Sequence, residues 1–176
     1  MNGGFGVSAA SNSSLAVFGG GYGAGYYTRN GSAYNASLTK STISNIYSYS
    51  EFMYASTISS SAYALFIGGE DPDDDAISQF SGVNTSGTCT RSSVKHGDGT
   101  TYYVKCKMAG TMAGSNYIFG GGQCGTSYSD TSGSNRVFAL NSSLTPITTT
   151  ALYFSTYKSG VEYDSTLVAA ASVGDY

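Results

Sequence analysis

One phrase occurs three times in this chain and governs what it can become. Leu15-Ala16-Val17-Phe18-Gly19-Gly20-Gly21 returns as Tyr63-Ala64-Leu65-Phe66-Ile67-Gly68-Gly69, and again as Asn116-Tyr117-Ile118-Phe119-Gly120-Gly121-Gly122. Each copy is a short apolar run stopped by glycines. Four apolar residues are too few for a helix and suit a buried strand, while glycines admit positive φ where backbones crowd together. The copies lie 48 residues apart (Phe18 to Phe66) and then 53 (Phe66 to Phe119). Self-similarity at a period of about 50 residues marks a repeat architecture.

The residues around each copy share a grammar. A small-residue strand precedes it: Val7-Ser8-Ala9-Ala10-Ser11, Ala55-Ser56-Thr57-Ile58-Ser59 and Met108-Ala109-Gly110-Thr111-Met112. A polar loop follows, and then a second signature, Ala33-Tyr34-Asn35-Ala36-Ser37-Leu38-Thr39 in the first unit and Ala139-Leu140-Asn141-Ser142-Ser143-Leu144-Thr145 in the third. A strand ending in Asn-x-Ser-Leu-Thr reads as strand then turn, because Asn and Ser bond their own backbone there. The middle unit reads as having lost this signature. At the C-terminus, Val168-Ala169-Ala170-Ala171-Ser172-Val173-Gly174-Asp175-Tyr176 aligns without a gap on residues 7–15, so the chain begins a fourth unit. The expected organisation is one repeat domain over 1–176, with units 7–54, 55–107, 108–167 and a partial 168–176.

Units of this length, with several short strands and a glycine doublet after an apolar strand, fit propeller blades. On Phe18-Gly19-Gly20-Gly21, Phe66-Ile67-Gly68-Gly69 and Phe119-Gly120-Gly121-Gly122, with Tyr34-Asn35-Ala36-Ser37-Leu38-Thr39 as the following strand, the chain resembles kelch-like repeat proteins. It is most similar to the Ser/Tyr/Gly-rich arrays of bacterial and bacteriophage proteins. The resemblance implies an all-β, kelch-like β-propeller of about three blades plus a partial fourth. It departs from the animal pattern in having no Trp, so adaptor roles are not carried over. Propellers close at about four to eight blades, each sheet packing its face on the next. Three blades leave two apolar faces open, and the expectation is a ring completed by another chain or by further sequence. An open three-blade piece with polar end faces is the alternative.

Composition narrows the partners. At 176 residues the chain can bury roughly 70% of its unfolded surface as one domain. Charged residues are only 11% and the net charge is -3, which supplies no basic footprint for nucleic acid. Aromatic residues make up 14%, more core material than disordered chains carry. No window approaches the roughly 18 apolar residues of a membrane span. Met1-Asn2-Gly3-Gly4 has neither a basic nor an apolar leader region, and the expected location is cytoplasmic or virion-associated. Sequons at Asn12, Asn30, Asn35, Asn84 and Asn141 are expected by chance in so Ser/Thr-rich a chain.

Candidate sites fall in loops. Tyr22, Tyr26 and Tyr27 follow the first glycine cassette and Tyr128 holds the comparable place in the third unit. Tyr among Ser, Gly and Asn is a paratope-like composition, and the rings either stack on a glycan or protein ligand or cover neighbouring strands. Glu70-Asp71-Pro72-Asp73-Asp74-Asp75 gathers five carboxylates in six residues; their hard oxygens suit Ca²⁺, but raw charge without a ligand pattern favours a solvated acidic loop. The spacing is not that of an EF-hand. No other cofactor is expected.

Cys89, Cys106 and Cys124 form no C-x-x-C pair, which argues against zinc. A Gly97-Asp98 hairpin turn would set Cys89 opposite Cys106, a possible disulfide, whereas an Asp98-Gly99 turn would set Cys89 opposite Met108. His96, the single histidine, cannot supply the ligand set of the kelch-fold copper oxidases. Gly19–Gly25 mimics a phosphate-binding loop but no βαβ unit surrounds it. The expected function is non-catalytic: a binding or scaffolding module, in the manner of virion or tail proteins, with a self-assembling structural subunit as the alternative.

Overall fold

The computed structural model describes residues 4–48, 50–73, 76–94, 107–122 and 137–149. Among them there is no helix, and every sheet is antiparallel. The first unit supplies β1 (Gly4–Phe5), β2 (Ser8–Ser11), β3 (Ala16–Gly19), β4 (Tyr22–Gly23), β5 (Tyr26–Tyr27), β6 (Gly31–Tyr34) and β7 (Lys40–Ile43). The second supplies β8 (Ser56–Ser59), β9 (Tyr63–Ile67), β10 (Gln79–Asn84) and β11 (Cys89–Ser93). The third supplies β12 (Ala109–Ala113), β13 (Asn116–Gly120), β14 (Val137–Leu140) and β15 (Pro146–Ile147). Three four-stranded meanders result, β2-β3-β6-β7, β8-β9-β10-β11 and β12-β13-β14-β15, beside a small three-stranded sheet β1-β4-β5.

The sequence repeat is a register repeat. Phe18 pairs with Ala9 and Ser32, Phe66 with Thr57 and Ser81, and Phe119 with Gly110 and Phe138. The glycine doublets recur with the same backbone: φ is 69° and 95° at Gly20 and Gly21, 64° and 102° at Gly68 and Gly69, and 74° and 88° at Gly121 and Gly122. An L side chain is strained there, and a Cβ on Gly20 would also collide with the Phe52 carbonyl.

The second turn signature is present in all three units, which corrects the expectation that the middle one lacks it. Asn35 Oδ1 accepts from the Ser37 and Thr39 amides, Asn141 Oδ1 from those of Ser143 and Thr145, and Asn84 Oδ1 from those of Ser86 and Thr88, all at 2.9–3.0 Å. The middle version reads Asn84-Thr85-Ser86-Gly87-Thr88. Its fourth residue is Gly87 (φ 82°) where the others have Leu38 (φ 57°) and Leu144 (φ 60°). The position demands left-handed backbone, so leucine and glycine there are two answers to one constraint.

The sheets stack face to face, the first strands leading, with β2 against β8 and β9, and β8 against β12. Alternation along each strand assigns its faces. Val17 and Ala33 of the first sheet meet Ala64, Phe66 and Val83 of the second, with Ile46, Tyr47 and Phe52 of the connecting segment completing this core. Ile58, Leu65, Ile67 and Phe80 on the other face of the second sheet meet Tyr117, Phe119 and Leu140 of the third. The two interfaces are therefore successive copies of one contact. Along the leading edge a ladder links equivalent residues: the Tyr54 amide donates to Gly6 O (3.0 Å) and the Lys107 amide to Tyr54 O (3.3 Å). All three have positive φ, and the Lys107 ammonium lies 4.9 Å from the centre of the Tyr54 ring.

Candidate functional site

The polar loop expected after the first cassette is in fact structured. Tyr22-Gly23 and Tyr26-Tyr27 pair across a two-residue turn at Ala24 (φ 55°) and Gly25 (φ 86°), the double-positive geometry of a type I′ hairpin. The N-terminal Gly4–Phe5 joins as a third strand, with Phe5 opposite Tyr22 and Gly4 opposite Gly23. The hairpin's signal was the aromatic pairs flanking a small Gly-containing turn. Phe5 carries no sequence signal, because it precedes the first repeat unit.

Pleating divides these aromatics between two faces. Phe5, Tyr22 and Tyr27 share one, with ring centroids 5.3 Å apart for Phe5 and Tyr22 and 4.7 Å for Tyr22 and Tyr27. Such tilted pairs stabilise the ribbon beyond their area burial. Tyr26 points to the other face, where its cross-strand neighbours are Gly23 and then Gly4, and the residue is 77% exposed. Of the three tyrosines, two are packed on aromatic neighbours and one stands free over bare glycine backbone. That second face combines an exposed tyrosine with two glycines that carry no side chain. Tyr128 lies outside the described residues.

The acidic segment separates into different environments. Glu70 is buried, and its backbone pairs with Met53 and Ala76. Asp71 Oδ1 accepts from the Asp73 amide (3.0 Å), closing a turn over Pro72. Asp74 and Asp75 lie outside the described residues, as does any calcium site that would need them. Among the described residues no group of three or more His, Cys, Asp or Glu side chains is placed to share a metal. Beside this turn, Arg29, Ser50, Glu51, Asp71 and Pro72 line an open pocket of about 400 Å³, in which Arg29 Nη1 donates to the Ser48 carbonyl (3.3 Å). Arg29 and Glu51 carried no sequence signal, since their proximity comes from the return of the connecting segment under the first cassette.

Cys89 is a half-buried free cysteine on β11, opposite Val83 and packed against the first core. Cys106, and with it the Cys89–Cys106 pairing, lies outside the described residues, together with Cys124 and His96. Complete burial pushes the Tyr47 phenol well above the usual tyrosine range. Its hydroxyl donates to the Gly68 carbonyl (2.8 Å), tying the connecting segment to the second glycine cassette. No described helix is long and apolar enough to cross a membrane. No protein-family model matches this chain, and a search of curated proteins finds no significant match.

Proposed function

We propose that this chain is an arc of a kelch-like β-propeller acting as a non-catalytic binding module, with the β4–β5 hairpin as its recognition element. The observation that carries the reading is the division of aromatics on that hairpin. Phe5, Tyr22 and Tyr27 hold the ribbon rigid, while Tyr26 is offered to solvent beside glycine backbone. An exposed ring beside side-chain-free glycines suits the apolar face of a sugar or an extended peptide. The stacked, equivalent sheets support the propeller reading, since they hold such a loop fixed while its residues vary. A surface glycan is the preferred ligand class, and a bacteriophage virion or tail is the setting the family resemblance implies.

The test is a glycan array probed with the whole chain and with Tyr26→Ala. Selective binding that disappears in the variant, with an unchanged circular dichroism spectrum, is the expected result. An array left blank by the wild-type chain removes the sugar reading.

A further inference from the structure

We propose that the pocket at the root of the β4–β5 hairpin is a subsite for one neutral, hydroxyl-rich sugar residue, held by Arg29 and Glu51. The inference deepens the reading of that hairpin as a glycan-recognition element and rests on it for the ligand class. The pocket's walls come from three stretches far apart in the chain. Arg29 follows the hairpin, Ser50 and Glu51 belong to the connecting segment, and Asp71 and Pro72 to the turn after the second cassette. They border an open space of about 400 Å³, within the roughly 300–1,000 Å³ typical of ligand pockets.

Backbone bonds fix these walls to one another and to the hairpin. At the two feet of the hairpin the Thr28 amide donates to Gly21 O (3.2 Å). The Gly21 amide donates to Phe52 O (2.6 Å) and the Phe52 amide to Thr28 O (3.4 Å), which holds the residues just before Phe52 beside those feet. Met53 and Glu70 exchange both amide bonds (2.9 and 3.0 Å), bringing Asp71 alongside. The Ser48 peptide completes the frame. Its amide donates to Oε1 of Gln79, a residue 1% exposed, and its carbonyl accepts from Arg29 Nη1. A buried glutamine therefore sets the peptide on which the guanidinium rests, as a preorganised site requires. Arg29 lies three residues after Tyr26, at most about 11 Å along the chain, so a short oligosaccharide can span the ring and the pocket.

The mixture of charges selects the ligand. A guanidinium only donates hydrogen bonds and a carboxylate only accepts them. An anion would meet Glu51 and Asp71, and a cation would meet Arg29. A sugar hydroxyl both donates and accepts, so neighbouring hydroxyls satisfy both signs through charge-assisted bonds and bring no charge of their own. Arg29 and Glu51 are exposed, and the one described bond of the guanidinium, to Ser48 O, leaves further donors for such a ligand. Asp71, held through Oδ1 by the Asp73 amide, and the exposed ring of Pro72 shape the opposite rim.

An NMR titration of the whole isotope-labelled chain tests this. The neutral probes are the methyl glycosides of mannose, glucose and galactose, and the charged ones are glucuronate and glycine. The expected result is saturable shifts of the Arg29 side-chain N–H and the Ser50, Glu51 and Asp71 amides with at least one neutral probe. Glu51→Gln, which keeps the shape, should weaken that binding about tenfold, and Arg29→Ala should abolish it. Both are surface changes, and circular dichroism should show the fold unaltered. No shift with any neutral probe overturns the inference, as does wild-type affinity in either variant. Tighter binding of glucuronate or glycine also overturns it, giving the pocket to an anion or a zwitterion. The glycan array separates this failure from failure of the hairpin. Array binding that depends on Tyr26 beside a silent titration keeps the hairpin and removes the subsite, whereas a saturable titration beside a blank array keeps the subsite and removes recognition through Tyr26.

Discussion

Phe18 and Phe66 stand at the same place in the same strand, preceded by the same kind of run and followed by the same glycines. One is 44% exposed and the other fully buried. Leu38 and Leu144 make the same comparison in a turn, at 80% and 5% exposure with nearly the same φ. Neither difference comes from local structure, since register, turn bonds and backbone coincide. It comes from whether another sheet lies on that side. Burial here belongs to the stack, and a residue's energetic weight changes severalfold between two copies of one motif.

The largest predicted effect sharpens that contrast. Phe66→Ala should destabilise the fold by about 3–5 kcal/mol, as expected for a truncated core aromatic, while Phe18→Ala in dilute protein should cost well under about 1 kcal/mol. Denaturant titration measures both, and equal losses would break the comparison.

The leucine pair comes next. Leu144→Ala should cost about 2–4 kcal/mol by emptying the space over Gly82, whereas Leu38→Gly should be neutral or stabilising by up to about 1 kcal/mol, because glycine relieves the left-handed strain. Melting temperatures moving in the same direction for the two variants would contradict this.

A smaller effect concerns the tie between the first core and the second cassette. Tyr47→Phe should cost about 1–3 kcal/mol, the price of a buried carbonyl left without its donor. The wild type should also lose stability above about pH 10, where the unfolded chain releases the Tyr47 proton and the folded one retains it. In Tyr47→Phe that part of the alkaline slope should shrink, as read from denaturant midpoints across pH.

The smallest effects belong to the turns. Asn35→Ala, Asn84→Ala and Asn141→Ala each remove an oxygen that accepts two backbone amides, and each should cost about 1 kcal/mol. Three similar values would support one shared turn. A silent Asn84→Ala would restore the view that the middle unit lacks it.

Much of this was legible in the chain before folding. The apolar runs became β3, β9 and β13, and the glycine doublets took positive φ in all three places. Gly87 escapes a leucine-based signature because the position constrains backbone handedness and not side-chain type. The aromatic hairpin was half legible: Tyr22, Tyr26 and Tyr27 were marked by composition, but pleating sent Tyr26 away from the others and brought Phe5 to them. Arg29 and Glu51 were invisible, because the segment that gathers them has no periodicity.

What the sequence determined by itself is the repeating unit: where strands run, which residues face each other across them, and where the chain must turn left-handed. Those follow from short-range sterics and hydrogen bonds, which act within a few residues and so repeat when the residues repeat. Tertiary structure alone decided which of two equivalent faces is dry, and why Tyr54 and Lys107 adopt the backbone of Gly6. Stacking supplies that answer, because a sheet's exposure depends on its neighbours and a ladder between sheets can hold even a bulky residue at positive φ.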